Sequence, residues 1–224
     1  MCPQPLSKFK NRNLNLSLDA IKERPELASK IMRVISTWSI IDIMYTELLC
    51  SFLESDLIIT MALYNTVINS SLKTEMVAKA AEKALSKDPQ GLELFTSTQD
   101  AIKASRDCRN RFAHYLWCIA PKIENSICLL NPSDYVNVSV SVEQHIYRRL
   151  LEVTMEDVEN IPQINNKKVM VYRNKDLDTE VNNALQAREL MRQLQLCFDR
   201  TGHLIGRMRE KAREKLAAAL QHPS

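Results

Sequence analysis

From Glu26 onward apolar residues recur at spacings of three and four. Val34, Trp38, Ile41, Tyr45, Leu48 and Phe52 fall on one stripe, which a helix of 3.6 residues per turn lays along a single face. Ser55-Asp56 offers a cap for a second helix carrying Leu57, Ile58, Met61, Ala62, Tyr64 and Ile68. Ser71 can cap a third, Leu72 to Leu85, rich in the strong helix formers Ala, Lys and Glu. Asp88-Pro89 closes it and can open the next, because proline suits the first helical position. That fourth helix carries Leu92, Phe95, Ile102, Cys108, Phe112, Ala113 and Leu116, and a break or kink is expected near Ser97. Helices joined by short connectors pack as antiparallel neighbours, so this part is expected to be a bundle.

After Trp117 the period changes. Ile127 to Leu130 is a short apolar run, and Tyr135 to Val142 alternates Val136, Val138, Val140 and Val142 against Tyr, Asn and Ser. Both predict strands, joined into a hairpin by a turn at Asn131-Pro132-Ser133-Asp134. Lys168 to Arg173 predicts a third strand, and Glu143 to Leu151 fits helix or strand. From Asp176 a helical period returns through Leu177, Val181, Ala184, Leu185, Met191, Leu194 and Phe198, with a kink or end expected near Thr201 beside Gly202 and Gly206. The expected fold is mainly α: an antiparallel helical bundle with a small β-hairpin or β-sheet insertion. In chain order it is a loosely packed lead-in (1–25), a helical bundle (26–117), a β-containing insertion (118–173) and a long C-terminal helix completing the bundle (174–224).

Composition narrows the chemistry. Glycine occurs only three times in 224 residues, at Gly91, Gly202 and Gly206. Neither G-x-G-x-x-G nor G-x-x-x-x-G-K-[ST] can be written with them, which excludes dinucleotide-binding and P-loop phosphate cradles. The six cysteines form no C-x-x-C pair and the four histidines are far apart, so neither a zinc site nor any other metal or cofactor is expected. The N-terminus lacks the basic-then-apolar order of a secretory signal. The apolar stretch Ile31–Ile68 is interrupted by Arg33, Asp42, Glu47, Glu54 and Asp56, so no membrane span is expected. The expected location is cytoplasmic, with the cysteines as reduced thiols. The net charge of +3 is mild, but Arg200 to Lys215 holds six Lys and Arg against two Glu. This run could follow an RNA backbone or simply be a solvated helix.

One segment concentrates reactive side chains: Arg106-Asp107-Cys108-Arg109-Asn110-Arg111-Phe112-Ala113-His114-Tyr115. On a helix Asn110 and His114 share a face, while Arg109 and His114 stand about 140° apart around the axis and about 7.5 Å along it. A guanidinium forks onto phosphate oxygens and an imidazole exchanges protons near neutral pH, a pairing suited to a phosphodiester. The plainer reading is a basic helix end complementing the helix dipole, with a histidine packed beside Phe112 and Tyr115.

The string Arg109-Asn110-Arg111-Phe112-Ala113-His114 resembles the R-x4-6-H signature of the HEPN superfamily, in its bacterial ribonuclease-like form with asparagine after the arginine. The resemblance spans the helical part, 26–117, and the closing helix from Asp176, and leaves the strands as an insertion. It implies a homodimer that cleaves RNA without metal, the two motif helices meeting in a composite cleft. His114 would be general base or acid, Arg109 would hold the scissile phosphate, and Asn110 would orient either. An acidic or polar residue of an early helix often accompanies the motif, and Glu47 is the candidate, with Asp42 as the alternative. Arg106, Arg111 and Tyr115 are candidates for further RNA contact. A toxin or defence setting, with an antitoxin or other regulatory protein as partner, comes wholly from the family. The alternative is a non-catalytic HEPN-like module binding RNA or a protein, and a third reading is a helical scaffold in which Arg109 and His114 merely pack.

Overall fold

The structure is a computed structural model of the full chain, and it describes residues 3–10, 14, 20–151, 164–198 and 206–221. It is mainly helical with one four-stranded sheet, and no helix among the described residues is long and apolar enough to cross a membrane. The chain forms two compact units, each built from separated stretches: Met1–Arg33 with Cys108–Val181, and Val34–Asp107 with Asn182–Ser224.

The first unit holds the sheet. Its strands are β1 (Gln4–Pro5), β2 (Leu116–Cys118), β3 (Ser126–Leu130) and β4 (Met170–Arg173), in the order β1-β4-β3-β2 with every pair antiparallel. β3 is buried along its whole length, which is why Ile127 to Leu130 reads as a continuous apolar run and does not alternate. Side chains of a strand point to opposite faces in turn. Cys128 and Leu130 therefore join Leu6, Cys118, Ala120, Ile123, Val169 and Val171 in one cluster. On the other face Tyr172, opposite Ile127, meets Phe112 edge-on with 5.1 Å between ring centres.

The lead-in is not loosely packed where it is described. Leu6 is fully buried and its N–H donates to the Val169 carbonyl at 2.8 Å, and Pro5 is tolerated because β1 is an edge strand. A four-residue helix, α1 (Ala20–Glu23), precedes α2 (Pro25–Leu53). Lys30 of α2 reaches the start of α7 (Asn174–Phe198), donating to Asn174 Oδ1 at 2.6 Å and pairing with Asp178. The predicted hairpin is overturned. Tyr135 to Val142 is not a strand but belongs to α6 (Pro132–Leu151), and β3 pairs with β2 and β4 instead. The predicted turn is the start of that helix: Asn131 Oδ1 accepts the Ser133 N–H at 2.9 Å, and Pro132 takes the first helical position.

The second unit is helical: most of α2, then α3 (Leu57–Thr66), α4 (Ser70–Ala84), most of α5 (Pro89–His114), the later part of α7, and α8 (Gly206–Gln221). Asp56 caps α3 as expected, accepting from the N–H groups of Ile58 and Ile59. The cap of α4 is Asn69, which accepts from Ser71 and Leu72, and not Ser71 itself. α5 runs unbroken through Ser97. Around that position Thr96 and Thr98 turn their hydroxyls onto the carbonyls four residues back, at 3.0 and 2.7 Å, so the polar run is satisfied inside the helix. Phe52 sits edge-on to Phe95 and Phe198, and the Trp38 indole N–H donates to Ser105 at 3.1 Å, so Trp38 is a core residue. α8 is tied down by Arg213, which reaches Asp88 at 2.5 Å. The described residues of the final stretch are α7 and α8, and the kink or end expected near Thr201 lies outside the described residues.

Candidate functional site

The Arg106–Tyr115 segment forms the last turns of α5 and the residue beyond. The C-terminal turn of a helix leaves carbonyls without intrahelical donors. Trp117 supplies one, its indole N–H donating to the Phe112 carbonyl at 3.0 Å. This closes the helix end from which the motif side chains project. The segment from Cys108 onward belongs to the sheet-containing unit.

Arg109 is half-buried, and one of its Nη groups donates to Asn110 Oδ1 at 3.1 Å. Asn110 therefore holds the guanidinium, which fixes a long side chain that would otherwise lose rotamer freedom on binding an anion. His114, the last residue of α5, is exposed, and it makes no hydrogen bond or ion pair among the described residues. Both of its ring nitrogens are open to a ligand. The pair offers a held guanidinium fork and an open imidazole at one helix end.

The other arginines of the segment have different surroundings. Arg106 lies in the helical unit, donates to Thr74 Oγ1 at 3.2 Å and stands beside Tyr45. Tyr45 also donates to Gln99 Oε1, and burial pushes its phenol up to about 12 against the opposing charge of Arg106. Asp42 and Tyr64 complete this polar group, and Tyr64 is raised first by its own burial and then by Asp42. No motif marks this group. Its only sequence signal is a hydroxyl, that of Tyr45, on the apolar stripe of α2. Arg111, half-buried, lies against Cys108, Tyr172 and Glu180. Burial, with the Glu180 charge adding to it, pushes the Cys108 thiol up to about 12. Cys108 is thus an inert buried thiol and not a thiolate primed by its arginine neighbours. The Tyr115 hydroxyl accepts from Asn131 Nδ2 at 3.4 Å.

Glu47 is exposed on α2 in the helical unit, where its carboxylate accepts from Gln195 Nε2 of α7. The two line a groove of about 350 Å³ with Leu48, Cys50, Ser51, Leu57 and Leu196. The structure thus brings Arg109 and Asn110 into contact, leaves His114 open on the same helix end, and gives Arg106, Arg111, Tyr115 and Glu47 partners of their own. Within the basic C-terminal run, Arg213 is committed to Asp88, while Arg207, Lys211 and Lys215 are exposed. Among the described residues no three His, Cys, Asp or Glu side chains converge into a metal-ligand group. The chain matches no protein-family model, no curated protein and no solved structure.

Proposed function

We propose that this protein is a metal-independent endoribonuclease of the HEPN type, acting as a homodimer with its Arg109–His114 motifs at a shared cleft. The observation that carries the reading is the open imidazole of His114 on the same helix end as a guanidinium held by Asn110. In the proposed reaction His114 takes the proton of a ribose 2′-OH, and the oxygen attacks the adjacent phosphorus. Arg109 stabilises the charge that develops on the non-bridging oxygens. The bond to the 5′-oxygen breaks, and that leaving oxygen is protonated by an imidazole of the cleft. The products are a 2′,3′-cyclic phosphate and a 5′-hydroxyl end, and a strand lacking the 2′-OH is not cut. Glu47, with its Gln195 partner, is assigned no step. A toxin or defence role, under an antitoxin or similar regulatory protein, is the setting this activity fits.

The test is cleavage of a defined RNA by the purified chain with EDTA present. His114→Ala is expected to lower the rate by about 10²–10⁴-fold, the usual yield of a positioned general acid or base. Arg109→Ala is expected to lower it by about 10²–10³-fold, as for loss of one electrostatic donor. RNA bound without cleavage, with binding weakened by Arg109→Ala, would replace the nuclease with a non-catalytic RNA-binding module.

A further inference from the structure

The strongest unexplained feature lies in the helical unit, on α3. From Leu57 to Leu72 sixteen residues pass without a charge. Only Thr60 and Tyr64 of α3 are buried. At 100° per residue those two mark one side of the helix; Ile58, Ile59 and Ala62 lie in the opposite half with Asn65 and Thr66, and Met61 and Leu63 stand at its margins. Ile58 is 78% exposed, Ile59 60% and Leu63 58%, and the neighbouring Ile68 is 96% exposed. The apolar stripe of a helix normally packs against another element, and monomers rarely leave an apolar patch of more than a few hundred Å² open.

We infer that α3 is a self-association surface, covered by α3 of a second copy of this chain across a two-fold axis. Leu53, Leu57, Ile58, Ile59, Met61, Leu63, Ile68 and Leu72 together leave the equivalent of about five large side chains open. That is on the order of several hundred Å² of apolar surface, a large share of the roughly 800 Å² that each partner buries in a standard stable interface. Charge selects the occupant. In a two-fold interface each residue patch meets itself, so any charge within it confronts its like; the stretch from Leu57 to Leu72 contains none, and the acidic Glu54 and Asp56 stand at its edge. A lipid surface is disfavoured because the residues leading into α3 are Glu54 and Asp56, whereas helices that lie on anionic membranes carry basic flanks. The groove of about 350 Å³ beside Leu57 gives the partner's aliphatic side chains a seat. Isologous packing fills two such grooves at once.

The inference does not rest on the nuclease reading. Sedimentation velocity of the full chain across micromolar concentrations is expected to show a dimer. Ile58→Glu combined with Leu63→Glu is expected to weaken dimerisation at least 100-fold with the helical circular dichroism unchanged. If that variant misfolds, the single variants decide: Ile58→Lys and Ile58→Glu chains, each monomeric alone, are expected to form a mixed dimer. A chain that stays monomeric throughout, that dimerises with wild-type affinity after these substitutions, or that floats with phosphatidylcholine vesicles as a monomer overturns the inference. Dimerisation without RNA cleavage leaves it standing and removes the nuclease, while RNA cleavage by a dimer that survives these substitutions unweakened does the reverse.

Discussion

Gly91 shows how one missing carbon can reverse the usual effect of a substitution. It sits in the first turn of α5, where alanine would ordinarily be favoured over glycine by up to about 1 kcal/mol. A Cβ built there would lie 2.5 Å from Asp88 Oδ2, a separation that real side chains do not tolerate. Asp88 uses that space for two tasks. It accepts the Gly91 N–H at 2.9 Å, capping the helix, and it receives Arg213 of α8 at 2.5 Å. Partial burial works to raise its carboxyl, yet the Gly91 N–H and the Arg213 guanidinium outweigh this and hold it below the usual carboxylate range. Displacing Asp88 forfeits a cap contribution of about 0.5–2 kcal/mol and a partly exposed ion pair of at most about 1 kcal/mol. Gly91→Ala is therefore expected to destabilise the chain by about 1 kcal/mol, measured by urea unfolding. In an Asp88→Ala background the same change is expected to stabilise it, because nothing then obstructs the Cβ. A stabilising effect in the wild-type background would show that the carboxylate moves at no cost.

At the scale of elements, α6 turns on its first residues. Asn131 accepts the Ser133 N–H and donates to the Tyr115 hydroxyl, so Asn131→Ala is expected to cost about 1 kcal/mol. Hydrogen exchange checks this: amides 133–136 should exchange roughly fivefold faster, and unchanged rates would assign the helix start to Pro132 alone. The same residues explain a misreading. Valine at every second position from Val136 to Val142 looks like a strand, yet every second position includes every fourth, so the pattern also places Val136 over Val140 on a helix. The intervening polar residues have a helical use too, since Ser141 donates to the Asn137 carbonyl at 2.8 Å. Only the cap and proline distinguish the two readings. The stripe of α2, the Asp56 cap and the Asp88-Pro89 start of α5 were legible because helix signals are local. β1 was not, for two residues ending in proline carry no period, and their strand character comes from β4 far along the chain. The candidate site divides in the same way. The placement of Arg109, Asn110 and His114 on one helix end followed from spacing. The withdrawal of Arg111 beside Tyr172 depends on a contact that no local pattern encodes.

At the scale of the whole molecule, the order of segments along the chain concealed how the units are composed. A boundary drawn between bundle and insertion assigned the motif to the bundle, whereas Cys108–Val181 folds with the first 33 residues. Both units nevertheless share one chemical property. Cys108, Cys118 and Cys128 of the sheet unit are buried and their thiols are pushed up to about 12. Cys197 of the helical unit is pushed up to about 11. In each case burial is the leading cause, because a thiolate loses its hydration there. The sign of the consequence is fixed. Above the ordinary thiol range near 8.5 the unfolded chain releases these protons while the folded chain keeps them, so unfolding is favoured as pH rises. Each thiol adds a slope of up to ~1.4 kcal/mol per pH unit until its folded value is reached. The melting temperature is therefore expected to be nearly level from about pH 7 to about 7.5, to begin falling as pH passes through about 8.5, and to fall steadily toward about pH 10.5. Cys118→Ala combined with Cys128→Ala lowers stability at every pH by leaving space in the sheet cluster, so the informative quantity is the slope. That slope should become shallower in the double variant. A melting temperature unchanged to pH 10 would mean that water reaches these thiols in the folded chain.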